Sequence, residues 1–195
     1  MRLITLIAFL LVTLSAPALA QEAPPVEIFG GYSYFRPEGG GNTHGWNASF
    51  AANVKGLFEI VGDFSGHYGS QSLRTEITDD SFPGTVTINA DSDVSVHTFL
   101  FGPQFSYRRN RRVVPFARAM FGASRLGADA TIRFGNTSLD SSFADIGFAM
   151  AAGGGVDVSL SESVGLRLFQ VDYVLTNFGG NSRGNVRFSV GFVLR

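Results

Sequence analysis

Apolar and polar side chains alternate along this chain with a period of two residues. The last such segment, "VRFSVGFVL", places five apolar side chains on one face: Val186, Phe188, Val190, Phe192 and Leu194. Arg187 and Ser189 fall on the opposite face. Because successive side chains of a β-strand point to opposite sides of a sheet, this pattern predicts a strand with one apolar and one polar face.

The same alternation recurs upstream, so that the chain is predicted to be all-β with eight strands. The predicted strands are residues 26–36, 46–54, 57–68, 95–107, 114–124, 144–158, 164–175 and 186–194. The seventh segment changes parity, because Arg167 and Asp172 would fall on opposite faces of a regular strand. A β-bulge near Phe169 and Gln170 would return both charges to one face.

The connections between the predicted strands alternate in length. Short turns contain "KG", "RNRR" and "SES", whereas "PEGGGNTHG" and residues 69–92, 127–142 and 176–183 form long connections rich in Gly, Asn, Asp and Ser. These residue types tolerate the φ angles that turns require. The alternation predicts an eight-stranded antiparallel up-and-down β-barrel, with tight turns at one end and long mobile loops at the other.

The composition of the two faces distinguishes between two kinds of barrel. A soluble ligand-binding barrel turns its apolar face inward, whereas a transmembrane barrel turns it toward lipid. Here the polar face consists mainly of Gly, Ser, Ala and Asn with a few charges, which fits a narrow interior, and the other face is rich in Phe. We therefore favour a transmembrane β-barrel. A soluble periplasmic, lipocalin-like ligand-binding barrel is the alternative.

Aromatic side chains occur toward the ends of the predicted strands. Amphipathic rings are favoured at membrane–water interfaces, so we expect them to form aromatic girdles. The predicted girdle residues are Tyr32, Tyr34, Trp46, Tyr68, Tyr107 and Tyr173.

Charged residues recur on the predicted inner face. They form a predicted lumen charge network of Glu27, Glu59, Asp63, Arg118, Asp145, Asp157, Arg167, Asp172 and Arg187. An isolated buried ion is costly, so these charges must pair or stay hydrated. Since eight strands enclose little more than side chains, we expect a structural plug of salt bridges. A gated ion path is the alternative.

The N-terminus has the features of a secretory signal peptide. Arg2 precedes an apolar run over residues 3–14, and Ala18-Leu19-Ala20 resembles a cleavage site. We expect residues 1–20 to be the signal peptide and residues 21–195 to be the barrel domain. The sequence contains no Cys, so no disulfide is expected to hold the exported chain together.

The composition excludes several classes of site. A net charge of -1 argues against nucleic acid as a partner. The basic run 108–112 falls at a tight turn, where it would contact anionic head groups or solvent. His44, His67 and His97 lack the spacing of metal ligands. We expect no catalytic residue, no metal and no cofactor.

From Gly45 to the C-terminus the chain resembles the outer-membrane β-barrel family of small porin-like proteins. It is similar to the transmembrane domain of outer-membrane protein A, and most to acidobacterial members. The stretches that carry the resemblance are "GWNASFAANV", "VGDFSGHYG", "FLFGPQFSYRR", "VVPFARAMFG" and "RLFQVDYVLTNFGGNSRGNVRFSVGFVLR". Such barrels commonly end in an aromatic residue that the outer-membrane assembly machinery reads, whereas this chain ends Val193-Leu194-Arg195.

The resemblance implies a barrel in the outer membrane and implies little about activity. The expected partners are outer-membrane lipids and lipopolysaccharide, the assembly machinery, and a surface ligand bound through the loops. We expect a role in envelope structure or surface interaction with at most slight solute passage. Some eight-stranded outer-membrane barrels modify lipid A with a His and a Ser near the outer rim. If this chain did so, His67 with Ser65 or Ser70 would be the pair to suspect.

Overall fold

The structure is a computed structural model that describes residues 24–39, 41–78, 85–110, 112–134 and 137–195. The predicted signal peptide, residues 1–20, lies outside this part of the chain. The strands are β1 (Val26–Arg36), β2 (Thr43–Lys55), β3 (Phe58–Thr78), β4 (Thr85–Ser106), β5 (Val113–Phe134), β6 (Thr137–Ser159), β7 (Val164–Phe178) and β8 (Asn181–Leu194). Within the described ranges, no helix has the length and apolarity to cross a bilayer.

The eight strands form a closed barrel in which each strand pairs with its sequence neighbours. The seam is an antiparallel ladder between β1 and β8 that runs from Ile28–Leu194 to Arg36–Val186. Closure satisfies the backbone hydrogen-bonding groups of both terminal strands, as a bilayer requires. The predicted eight-stranded up-and-down barrel is confirmed.

The alternating faces lie where the sequence pattern puts them. A ring of Phe side chains points outward and is about half exposed, as a surface that meets acyl chains would be: Phe50, Phe64, Phe99, Phe101, Phe121 and Phe148. Inward positions are buried. The interior also holds an apolar cluster, which the sequence analysis did not anticipate, formed by Phe35, Ala51, Val61, Val96, Leu100, Met120, Ala149, Ala151 and Val174.

The predicted bulge in the seventh strand is confirmed. The β7–β8 register shifts between Arg167 and Gln170. Arg167 and Gln170 are buried, whereas the intervening Leu168 and Phe169 are both exposed. Because two successive side chains point outward at this bulge, Asp172 points into the interior, as Arg167 does.

The prediction of long loops is wrong for the described parts of residues 69–92 and 127–142 and for residues 176–183. The first two are largely strand, and the third is a tight turn at Gly179 and Gly180, whose φ angles are +56° and +83°. In the barrel wall the apolar side chains of a strand point outward, whereas in these parts they lie on the inner face, so the alternation that identified the strands does not continue in the same sense although pairing continues. We call residues 69–78, 85–95, 125–134 and 137–147 the protruding sheet.

The protruding sheet extends past the neighbouring strands. Pairing of β2 with β3 ends at His44–Tyr68, and pairing of β6 with β7 ends at Phe148–Asn177. Beyond these points the β3–β4, β4–β5 and β5–β6 ladders continue. Among the described residues, the outer parts of β3 and β6 thus each have one edge without a paired strand.

Candidate functional site in the barrel interior

The central part of the lumen contains two aspartates and two arginines that are almost completely buried. Arg187 Nη1 lies 2.7 Å from Asp63 Oδ1, and its Nη2 lies 2.9 Å from Asp172 Oδ2. Arg118 Nη2 lies 3.1 Å from Asp63 Oδ2 and 2.8 Å from Asp172 Oδ2. Each carboxylate is therefore shared by both guanidinium groups. We call these four residues the central cluster.

Glycine in β6 allows Arg118 to reach Asp172. Arg118 lies on β5 and Asp172 on β7, and both stand opposite Gly153 of the intervening strand β6. A Cβ atom at Gly153 would lie 2.4 Å from Asp172 Oδ1. The absence of a side chain at this position leaves room for the ion pair to cross over β6.

Neutral polar side chains complete the central cluster. Asn47 Nδ2 donates to Asp63 Oδ2 over 3.0 Å, and Gln170 Nε2 donates to Asp172 Oδ2 over 2.8 Å. Ser65 Oγ accepts a hydrogen bond from Arg187 Nη1 over 3.0 Å. These contacts occupy some of the carboxylate lone pairs and guanidinium protons that the four charges leave over, whereas Arg118 Nη1 is buried without a hydrogen-bond partner among the described residues. A buried ion pair requires such additional bonds to offset the loss of hydration.

A second ion pair joins β6 to β7. Arg167 Nε and Nη2 donate to the two carboxylate oxygens of Asp157 over 2.7 and 3.0 Å. The guanidinium carbon lies 4.3 Å from the ring centre of Phe29 and 4.2 Å from that of Phe116. Arg167 Nη1 also donates to Gln170 Oε1 over 2.6 Å, which links this pair to the central cluster. A planar, bidentate, stacked cation is a geometry that Arg provides and Lys does not.

A third group of charges lies at the end of the barrel that has the tight turns. Arg108 binds both Glu27, over 3.0 Å, and Glu59. Arg195 Nε lies 2.6 Å from Glu27 Oε1. Gln104 Nε2 donates to Glu59 Oε2 over 2.7 Å. The turn that contains Arg108 therefore lies against the lumen.

The expectation for the basic turn is wrong at Arg108. Its side chain was expected to meet head groups or solvent, but it is buried and folds back into the barrel. Among the described residues, no strand arginine forms an ion pair with the inward Glu27 or Glu59, and Arg108 supplies the balancing charge. Arg195 likewise turns inward.

The charges in this part of the lumen balance. In the described chain, these three groups contain five carboxylates and five guanidinium groups, counted from the ion pairs. We call them together the lumen plug; they are Glu27, Glu59, Asp63, Asp157, Asp172, Arg108, Arg118, Arg167, Arg187 and Arg195. Of the predicted lumen charge network, only Asp145 lies apart. It is half-buried, and its Oδ1 accepts a hydrogen bond from the backbone N–H of Ile146.

Sequence reasoning missed two arginines and several amides of the lumen plug. Asn47, Gln104 and Gln170 have the inward parity that selected the charged residues, so parity could have found them. Arg108 and Arg195 lie outside the regular strands, where parity carries no information about side-chain direction. Parity also predicts which face of the sheet a side chain lies on, but not its position along the barrel axis. It therefore could not predict which charges form ion pairs with each other.

The predicted girdle residues lie on the outside of the barrel. Tyr32, Trp46, Tyr68 and Tyr173 are about half exposed, and Tyr34 and Tyr107 are less so. Tyr68 Oη lies 3.0 Å from His97 Nε2, and Tyr32 Oη contacts His44 Nδ1. His44 and His97 thus lie on the outer surface together with the tyrosines, and both residue types have apolar rings with polar tips.

His67 differs from the other histidines because it is buried in the lumen. Its Nε2 lies 2.8 Å from Ser33 Oγ, and its ring stacks on Phe35 with 4.9 Å between ring centres. Ser65 instead contacts Thr98 and Arg187. His67 therefore contacts Ser33 instead of either suspected partner, Ser65 or the exposed Ser70. Among the described residues, no group of three or more His, Cys, Asp or Glu side chains is placed to hold a metal ion.

Solved structures of outer-membrane proteins resemble this fold. The attachment invasion locus protein Ail of Yersinia pestis, in complex with the heparin analogue sucrose octasulfate, is 17% identical with a TM-score of 0.56. The match covers 86% of this chain and 97% of that chain. A second Ail crystal structure gives 17% identity, a TM-score of 0.51 and the same coverage. Neisserial surface protein A is 11% identical with a TM-score of 0.49, and the match covers 89% of this chain and 99% of that chain.

Sequence comparison assigns the family. No curated protein sequence matches this chain significantly. The family model described as "Outer membrane protein beta-barrel domain" matches residues 6–195, which is nearly the whole chain. The alternative of a soluble periplasmic barrel is therefore wrong, since the membrane-facing surface described above is that of an outer-membrane protein. The chain belongs to the outer-membrane protein β-barrel domain family and resides in the outer membrane.

Proposed function

We propose that this protein is a non-conducting outer-membrane barrel that displays the protruding sheet at the cell surface, where it acts in envelope structure or surface interaction. At most slight solute passage is expected. The observation that carries the proposal is the coexistence of charge-balanced ion pairs inside the lumen with four strands that extend beyond the barrel. We infer that these ion pairs close the path that a channel would need, and that the sheet reaches where a partner could bind.

The lumen plug supports the absence of conduction. Asp63, Asp172 and Arg118 are completely or almost completely buried, and each takes part in more than one ion pair. Opening a path would separate these charges from their partners, and an uncompensated buried charge costs about 3–5 kcal/mol. A permanent plug therefore agrees better with the contacts than a gate does.

The protruding sheet supports a role at the cell surface. At about 3.4 Å per residue, the part of β3 beyond Tyr68 extends roughly 30 Å. The unpaired outer edges of β3 and β6 offer backbone donors and acceptors to an extended segment of another protein. We propose that lipopolysaccharide and other outer-membrane lipids surround the aromatic girdle below it.

The chain is proposed to be non-enzymatic. His67 contacts Ser33 inside the barrel, both side chains are buried, and Ser33 Oγ lies 3.0 Å from Ser189 Oγ. A lipid substrate at the outer rim would not reach this arrangement. For assembly, we propose that the machinery recognises the β8 strand through the outward Phe192, because Arg195 turns into the lumen.

Planar-bilayer recording tests the plug. The purified wild-type protein is expected to give no stable open channel, because the central cluster fills the lumen. The variant Arg118→Ala/Arg187→Ala, which leaves two carboxylates without partners, is expected to show more leakage, whereas Arg125→Ala on the outer surface is expected to behave as wild type. A persistent wild-type channel that the double substitution changes would contradict the proposal.

Labelling of intact cells tests the display of the sheet. The natural sequence has no cysteine, so single-cysteine variants report one site each. Ser141→Cys in the protruding sheet is expected to react with a membrane-impermeant maleimide. Glu162→Cys, which is exposed in the turn between β6 and β7, is expected to react only after the outer membrane is disrupted. The reverse pattern would place the sheet in the periplasm and refute display.

A further inference from the structure

A cavity of 590 Å³ lies in the mouth of the barrel, between the protruding sheet and the shorter strands. Its size falls within the range of about 300–1,000 Å³ that small-molecule sites occupy. Apolar side chains form much of its wall: Phe35, Val94, Val96, Leu126, Ala128, Phe143 and Phe178. Phe35 and Val96 also belong to the apolar cluster of the interior, so the cavity borders that cluster.

The apolar wall continues upward on the inner face of the protruding sheet. Leu73 of β3 is 68% exposed, and Leu139 and Phe143 of β6 are 66% and 58% exposed. The outer face of the same sheet carries polar and charged side chains instead, which include Arg74, Asp91, Asp93, Asp129 and Asp140. A sheet that was solvated equally on both faces would not have this segregation. The inner face and the cavity together form one continuous apolar surface.

The opposite side of the cavity is low and polar. There β7 ends at Phe178 and β8 begins at Asn181, and the cavity lining includes Asn181, Arg183 and Asn185. Asn185 is buried, and its Nδ2 donates to backbone and side-chain oxygens of its own hairpin. Arg183 is exposed, and none of the described residues forms an ion pair with it. The guanidinium of Arg183, which has no ion-pair partner among the described residues, therefore lies across the cavity from the apolar wall.

The other charged residue of the lining is Asp145. It lies on β6, on the side of the protruding sheet, and one of its carboxylate oxygens already accepts the N–H of Ile146. Among the lining residues, the negative charge thus lies on the side of the tall wall and the positive charge on the low side; Glu38, outside the lining, accepts the backbone N–H of Gly184 over 2.8 Å. An anionic head group would be attracted to Arg183 and kept away from Asp145.

We propose that this cavity binds a single-chain carboxylate, that is, a free fatty acid. The alkyl chain packs along Val96, Leu126 and Phe143, and the carboxylate accepts hydrogen bonds from Arg183. Arginine suits this role because its planar fork engages a carboxylate bidentately. Burial of the chain supplies most of the affinity, at about 25 cal/mol per Å² of apolar area removed from water.

The lumen plug makes the cavity blind. The ion pairs of Asp63 and Asp172 with their arginines cross the lumen below it, so we expect the site to retain its ligand instead of conducting it. The inference goes beyond the proposed function and does not depend on it. A protein that conducts ions would still have the cavity, and a protein that binds no fatty acid would still display its sheet.

Fluorescence titration tests the site in lipid nanodiscs, with 11-(dansylamino)undecanoic acid as the probe and empty nanodiscs as the blank. Wild-type protein is expected to bind one probe molecule saturably above the blank. Ala128→Trp, which fills the cavity, is expected to weaken binding at least tenfold. Ala144→Trp places the same side chain on the outer face of the neighbouring strand and is expected to leave binding unchanged.

The head group is tested with the methyl ester of the same probe. Arg183→Gln is expected to weaken binding of the acid by roughly five- to tenfold, as for a partly exposed charge-assisted hydrogen bond, and to leave the ester unaffected. Arg125→Gln, on the outer surface, is the matched control. Only variants with folded, heat-modifiable migration are compared, and Ala128→Met serves if the Trp variant does not fold. No saturable binding, equal loss in both Trp variants, or equal weakening of acid and ester would each overturn the proposal.

Discussion

At Arg167, one guanidinium makes several kinds of contact at once. It forms a two-point ion pair with Asp157, stacks between Phe29 and Phe116, and donates to Gln170. The rings cover the faces of the cation, while the carboxylate and the amide occupy its edge. The cation therefore retains favourable contacts on all sides after losing its water, which is the condition for burying an ion at tolerable cost.

Replacing Arg167 by Lys tests whether shape matters beyond charge. An ammonium keeps the charge but loses the bidentate fork and the stacking, so Arg167→Lys is expected to lower the free energy of unfolding by about 2–4 kcal/mol. Urea unfolding can be followed through Trp46, the single tryptophan of the sequence. Arg125→Lys on the outer surface is expected to change stability by less than about 0.5 kcal/mol. Equal effects of the two substitutions would refute the role of the fork.

At the scale of the strand, two glycines of β6 matter because they have no side chain. Gly153 and Gly155 lie at inward positions where a Cβ atom would meet a backbone carbonyl oxygen of β7 and, next, the Asp172 carboxylate and the Phe116 ring respectively. Side chains from β5 and β7 therefore meet over β6. A strand that contributes little volume at this height allows its two neighbours to form the contact instead.

Adding a methyl group to β6 tests this arrangement. Gly153→Ala is expected to destabilise the barrel by about 2–4 kcal/mol, because the added carbon either overpacks the lumen or displaces the Arg118–Asp172 pair. Gly62→Ala is the control, since a Cβ at Gly62 would have no atom within 4 Å. Urea midpoints of the two variants provide the measurement. A midpoint for Gly153→Ala equal to that of Gly62→Ala would show that the spacing is unnecessary.

The alternation in the sequence predicted β-strands correctly where one face of the strand meets lipid and the other meets the lumen. Lipid on one side and a narrow lumen on the other force the alternation that identified all eight strands. Beyond Tyr68 and before Phe148 the apolar side chains of β3 and β6 change to the inner face, so the sequence pattern of these outer parts was interpreted as loops. For the same reason the direction of Arg108 could not be predicted, since a turn has no periodicity that assigns a side chain to a face.

At the scale of the whole molecule, the lumen plug behaves as one electrostatic unit. Asp63 and Asp172 each serve both Arg118 and Arg187, and Gln170 joins this cluster to Arg167. A charge removed at one point changes the balance for its neighbours. Contributions of single residues are therefore expected to be non-additive.

A double-mutant cycle measures this coupling. Asp63→Asn leaves an excess positive charge in the central cluster and is expected to cost about 3–5 kcal/mol of stability. Combining it with Arg187→Gln restores neutrality, so the double variant is expected to lose at least about 1 kcal/mol less than the sum of the two single losses. Urea unfolding of the four proteins closes the cycle. Strict additivity would mean that the charges act independently.

The lumen plug also constrains the order of events during membrane insertion. Its charges come from both ends of the sheet, with Glu27 in β1, Arg187 in β8 and Arg195 just beyond β8. Before β8 meets β1, the carboxylates of the early strands have no arginine from the last strand and must stay hydrated. An open, partly inserted sheet therefore keeps its concave side wet. We therefore expect water to leave the lumen and the seam to close in one cooperative step, when β8 pairs with β1.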